Sequence, residues 1–383
     1  MTRHWAMSLV GDESVRAMSQ SGPRFCLDSP MAVRTLDYSA LTDPVARVDL
    51  AAWRAQARAS GQLWANNTLA LGSAIGVGLF AAIFVFVFGG VLASFFAEGI
   101  QNGNPIGVLF PSIFIVVIVA VTIGAVRSRV TNGSRWEQWY RLDRFARANG
   151  MRFQPMDFPP AYPGEIFHLG RDQKVMEHLT TGGRFLDIGN FSYITGSGKS
   201  QTTHHWGFLA LYLDRAMPNI VLDAKANNSL FSSNLPVVLD KKQILHLEGD
   251  FDEHFTLYCP AEYEQDALYI FTPDLMSLLI DEASPFDVEL VDQWMFVYSS
   301  RMFQLTDPAV LQRLFTIADT VGAKALNQTA RYADDRIGDP SVNIVAPQGA
   351  RLRRGVSVFG VVIVVVFVAF WGWNFFSSFF LTP

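Results

Sequence analysis

Asp266-Ala267-Leu268-Tyr269-Ile270-Phe271-Thr272-Pro273-Asp274-Leu275-Met276 is the stretch on which the fold turns. Ala267 to Phe271 is apolar and aromatic, the composition of a short strand. Thr272 and Pro273 then supply a cap and a first helical position, with Leu275, Met276, Leu278 and Leu279 on an inward face. Downstream, Phe286, Val288 and Leu290 alternate, and Trp294, Phe296 and Tyr298 do so again, which predicts a half-buried antiparallel pair. Thr306-Asp307-Pro308 opens a last helix that presents Val310, Leu311, Leu314, Ile317 and Val321 before Gly322. Strands and helices in this irregular order predict an α+β domain, a mixed or antiparallel sheet with packed helices, and not a doubly wound one.

Working upstream, residues 165–239 carry strand signals, notably Arg184 to Phe191 and Trp206 to Leu213. Between those two runs, Thr195-Gly196-Ser197-Gly198-Lys199-Ser200-Gln201 invites a phosphate-loop reading. That motif needs a glycine five residues before Gly198, where Tyr193 stands, so a hairpin turn is expected. His204 and His205 are adjacent and would point to opposite faces of a strand, a poor ligand pair. The proline-rich link from Phe158 to Pro163 separates this region from a helix that starts at Ser134-Arg135-Trp136-Glu137, a capping-box spacing, and stops at Gly150. Before it, Asp43-Pro44 and the alanine-rich stretch to Ser60 predict an arm helix, either lying on a lipid surface through Arg47, Arg54 and Arg58 or packing on the domain.

Residues 243–300 hold thirteen acidic residues and no Lys or Arg. This acidic segment reads as solvated surface, or functionally as a cation site or a docking face for a basic protein partner. His254 with Asp250 or Asp252 is the one candidate constellation for acid–base or hydrolytic work. The spacing lacks the glycine and terminal glutamate of a calcium loop, no metal or cofactor motif is present, and the acidity argues against nucleic acid. With no nucleophile motif either, the reading leans away from an enzyme.

The run Leu247-Glu248, Phe251, Phe255, Tyr258 and then Asp266 to Met276 resembles the signature of an uncharacterised family of bacterial membrane proteins, a domain of unknown function. The likeness extends weakly through Phe286 to Tyr298. It implies a pair of membrane helices followed by a cytoplasmic α+β domain, and no activity.

Two apolar runs fit that layout, Leu69 to Ala97 and Ile106 to Val126, and a third, Gly355 to Leu381, lies outside it; each is long enough for the roughly 20 residues that cross a bilayer. Arg127, Arg129, Arg351, Arg353 and Arg354 flank them on one side only, which predicts a multi-pass protein of the inner membrane with its N-terminus and main domain cytoplasmic and its C-terminus external. The expected layout is an arm over 1–68, a helix pair over 69–126, the α+β domain over 127–354 with a division into two lobes near 235 left open, and a third membrane helix over 355–383. Gly72 and Gly76 form a GxxxG spacing for helix packing, and homo-oligomerisation stays open. Uncharged spans argue against a transporter acting alone. Fifty per cent hydrophobic residues and a mean hydropathy of +0.20 agree with membrane residence. Cys26 and Cys259 are expected as free thiols, and Met31 is an alternative start to Met1. The function expected is a membrane-anchored interaction or regulatory module with the lipid bilayer and a basic protein as partners. The alternatives are a membrane-associated enzyme and an accessory subunit of an envelope or transport complex.

Overall fold

A single long strand organises the domain. Residues Thr202–Ala224 (β4) run for 23 residues through a sequence in which nearly every side chain from Trp206 onward is buried, the signature of a strand covered on both faces. In the computed structural model, β4 pairs along one edge first with Leu186–Thr195 (β3) and then with Phe255–Tyr258 (β6). Its other edge pairs with Asp287–Ser299 (β7) along most of its length. Arg152–Asp157 (β1) and Arg171–Thr180 (β2) extend the sheet beyond β3, and Ile244–Leu245 (β5) closes it beyond β6. All six pairings are antiparallel. The β3–β4 hairpin turns at Gly196, whose φ of +75° and close approach to the Ser200 carbonyl admit no side chain. The sheet takes strands from both sides of 235, so no ladder breaks there.

The structure describes residues 36–61, 64, 134–158, 161–181, 186–228, 233–339 and 341–355, with scattered positions at 90–116 and 365–372. The arm contributes Ser39–Thr42 (α1) and Arg47–Ala59 (α2), and residues 134–148 form the next helix (α3). Trp53 of α2 packs its ring against Trp136 and Tyr140 of α3 and donates Nε1 to Asp143 at 2.9 Å. Arg141 caps the carbonyls of Leu41 and Asp43 at 2.6 and 2.8 Å. The arm therefore lies on the domain. After the sheet edge come Glu264–Ile270 (α4), Pro273–Leu278 (α5), Pro308–Ile317 (α6) and Ala323–Thr329 (α7), with wide π-turns after α5 and α6. Asp307 caps α6 by accepting the Ala309 N–H. Gly322 lets this layer reach the sheet, because a Cβ there would stand 2.6 Å from Leu211 Cδ1.

One sheet face carries an aromatic core of Tyr162, Phe167, Phe191, Phe208, Phe296 and Tyr298. Most of their rings meet edge-on or tilted at 4.9 to 6.2 Å, the arrangement the ring quadrupole favours, and Phe296 stacks on Tyr298 at 5.6 Å.

Several expectations need correction. The α+β class stands, but among the described residues no helix is long and apolar enough to cross a membrane. The three-helix anchor, the multi-pass topology and the inner-membrane location with an external C-terminus are therefore not upheld. Most of the three apolar runs, with Gly72, Gly76, Arg127 and Arg129, lies outside the described residues. The C-terminal arginines read as membrane flanks have other work. Arg351 donates to the Pro163 carbonyl at 2.7 Å, the Arg353 main chain pairs with Gln243 and Asp240, and Arg354 bridges Glu165 at 2.6 Å. Positive charge beside an apolar run matches a membrane flank and a domain tie equally well in sequence. Residues 267–270 are helical and Phe271 is the C-cap, since Glu264 and Asp266 place acid in a first turn and Ala267 and Ile270 point inward. The two alternations over 286–298 belong to one strand, not a pair.

Candidate functional site

Two irregularities build the most unusual place in the sheet. Asp292 takes a left-handed φ of +50°, and the β4–β7 register shifts on either side of its pairing with Met217. A bulge adds a residue to one strand and reverses which face its later side chains occupy. Glu289 and Val291 before the bulge thereby share a face with Trp294, Phe296 and Tyr298 after it. The same shift on β4 turns Asn219 and Val221 to that face. A carboxylate is thus delivered into the margin of an aromatic core.

Glu289 is 1% exposed. Its Oε2 accepts the Tyr298 hydroxyl at 2.9 Å and the Glu165 main-chain N–H at 2.9 Å, and its Oε1 accepts Asn219 Nδ2 at 3.0 Å. Burial pushes the carboxyl up to about 7, against these three donors, which favour the ionised form. Tyr298 is held well above the phenol range by its own burial and by the neighbouring carboxylate. Beside the pair lies a cavity of about 30 Å³, lined also by Leu235, Val237, Leu239, Leu352 and Arg354. That volume accepts about two waters and no organic substrate.

The cover is made by two distant segments. Leu239 bridges Arg354, Gly355 N donates to the Val238 carbonyl at 2.8 Å, and Asn219 N donates to the Gly349 carbonyl at 2.8 Å. Arg354 reaches Glu165, so a cation stands one residue removed from the buried acid, not on it. The arrangement can take up and release a proton beside a partly open, narrow space.

The sequence candidates lie elsewhere. Asp252 accepts from His246 Nδ1 at 2.6 Å and from Leu247 N at 3.2 Å, while Asp250 is exposed and His254 half-buried. No side-chain hydrogen bond or ion pair links Asp250, Asp252 and His254 to one another. Among the described residues no group of three or more His, Cys, Asp or Glu is placed to hold a metal. The acidic segment is divided by the fold. Asp287 and Glu289 are buried, Asp266 pairs with Arg336 at 3.1 Å and Asp274 with Lys324 at 2.8 Å. Glu248, Asp250, Glu253, Glu262, Glu264 and Asp281 remain exposed. On α4, Glu264 stands one turn before Leu268, which is 54% exposed, and Tyr269 beside it is 45% exposed. Cys259 is buried and unpaired, and burial raises its thiol to about 12.

Sequence reasoning missed Glu289, Asp287 and Asn219. Alternation that turns Val288 and Leu290 inward assigns Glu289 to solvent, whereas both faces of β7 are covered here. The available signal was the charge itself, standing inside the unbroken run Val288-Glu289-Leu290-Val291.

No family model matches the chain, and no curated protein matches it. Among solved structures, the crystal structure of the mycobacterial trehalose monomycolate transport factor A is similar at 12% identity, over 49% of this chain and 95% of that one, with a TM-score of 0.31. A likeness that low carries no argument about fold or task.

Proposed function

We propose that the protein is an interaction module that holds a basic protein partner on the outer face of α4. The carrying observation is the combination of exposed Leu268, Tyr269 and Glu264 on one short element with exposed Glu262 in the turn that leads into it. An apolar pair rimmed by like charge supplies both desolvation energy and a sign preference. The base of this element is rigid. Arg336 lies over the Tyr263 ring at 3.8 Å and bridges Asp266, while Gln328 donates to the Tyr269 carbonyl at 2.6 Å. A preformed helix of this kind lowers the ordering cost of association. An enzymatic reading through His254 gains no support from its surroundings.

The test places a photo-crosslinking residue at position 268 in the full chain, with Glu262→Lys and Glu264→Lys as charge-reversed partners. The expected result is a discrete crosslink to a protein with a basic contact surface, weakened by salt and lost in the reversed variants. A crosslink to a second copy of this chain, or one indifferent to both salt and charge reversal, overturns the proposal.

A further inference from the structure

The same buried face carries a second polar cluster further along β4 and β7, separate from α4. Leu222 is paired with Val288, and the register carried one residue on sets Asp223 abreast of Asp287. Both are almost wholly buried, at 3% and 0% exposed. Like charges directly opposite in a sheet repel. Asp287 Oδ1 accepts Ala224 N at 2.9 Å and Asn227 Nδ2 at 3.1 Å, and Asn227 Nδ2 also donates to the Pro285 carbonyl at 3.2 Å. Side chains of Ser233 and Asn228 favour the ionised form of Asp223, and Asn228 Oδ1 accepts Asn234 N at 2.8 Å.

These contacts leave specific atoms over. Asp223 Oδ1, Asp287 Oδ2 and Asn227 Oδ1 are buried and have no hydrogen-bond partner. Asn234, whose amide is close enough to ease the ionisation of Asp287, makes no full hydrogen bond with either side-chain atom. Buried polar atoms are nearly always partnered, so a group of orphans in one corner points to a missing ligand. Four of these five atoms are oxygens, and two of those belong to carboxylates. The cation beside Asp223, Lys225, directs its ammonium to the Asp252 carbonyl. Buried carboxylates with amide oxygens suit a hard cation, whereas zinc would call for His or Cys.

We propose that Asp223, Asp287, Asn227 and Asn234 form a binding site for a hard divalent cation of the calcium class. Asn227 Nδ2 is committed to Asp287 and Pro285, which fixes its carbonyl oxygen as the free end. Water completes the shell. The cation would neutralise the carboxylate pair and tie the β4 end, through Asn227 and Asn234, to the segment that covers the Glu289 cavity.

Terbium(III), a calcium mimic whose emission is sensitised by nearby tyrosine, is the probe. Tyr258 pairs with Val221 and feels the Asp223 charge, so it is placed to act as the antenna. The expected result is saturable tyrosine-excited emission at one ion per full chain, displaced by CaCl2 and weakened at least about tenfold in Asp223→Asn and Asp287→Asn, since ligand charge sets affinity in such sites. In chelator, both variants should melt at or above the wild-type temperature, because removing one charge relieves the repulsion. Wild-type protein should also melt higher in CaCl2 than in NaCl of equal ionic strength. Absence of saturable emission, equal affinity in both variants, or no calcium-specific rise in melting temperature overturns the proposal.

Discussion

Replacing Glu289 with Gln tests the reading of the buried acid most directly. Folding lifts this carboxyl from its ordinary 4.5 to about 7. At about 1.4 kcal/mol per pH unit, holding it ionised costs the fold roughly 3 kcal/mol. The sign follows from proton counting: between those values the folded state binds the proton and the unfolded state does not. Stability from this group is therefore full below 4.5, falls as pH rises to about 7, and stays low above it. Gln removes the titration and keeps the shape. Its oxygen can accept from both Tyr298 and Glu165 N, while its NH2 faces Asn219, whose amide can turn to present oxygen. Glu289→Gln should thus leave the protein as stable as wild type near pH 4.5 and about 3 kcal/mol more stable at pH 8. Denaturant unfolding at a series of pH values reads the difference. A stability gap between the two proteins that does not change with pH would refute the reasoning.

Three further outcomes follow from the same contacts. Asn190 is fully buried, accepts Phe303 N at 2.7 Å and donates to Phe303 O at 3.0 Å, so Asn190→Ala should cost about 2–3 kcal/mol in urea unfolding by leaving both groups unpartnered. Arg336→Gln removes the cation that pairs with Asp334 and Asp266, leaves them only neutral donors such as Tyr263 and Tyr332, and removes the stack on Tyr263, so thermal unfolding should show a loss of about 2 kcal/mol. Cys259, whose thiol is raised to about 12, should stay unlabelled by iodoacetamide at pH 8 in the native protein and react promptly in urea, as read by mass of its peptide.

Signals that depend on neighbouring residues alone were legible in sequence. The β3–β4 hairpin was readable because the Gly196 turn sits between two apolar runs, and α6 because Asp307-Pro308 caps and starts a helix. Residues 267–271 misled because Leu268, Tyr269, Ile270 and Phe271 have strand composition, while the helix is decided by contacts of Ala267 and Ile270 with the domain. β1 went unread because its pattern is weakly alternating and Pro155 lies inside it. The Glu289 site depends on a register shift at Asp292 and on cover from residues 349–355, both set by pairing between distant segments. The membrane expectation rested on apolar length and flanking arginines, and those arginines could not announce that Pro163, Glu165 and Gln243 would be their partners.

The late position of the cover has a consequence for the order of events during synthesis. Ribosomes add about 5–20 residues per second, so β7 emerges several seconds before residues 349–355. During that interval one of the two segments beside Glu289 is still missing, so its carboxyl keeps better access to water and its charge costs less. The cost is completed when Gly349, Arg353 and Arg354 dock onto residues 219, 240 and 165. The last ties of this domain are thus made against the electrostatic preference of its own interior, and acidic surroundings would ease that final step.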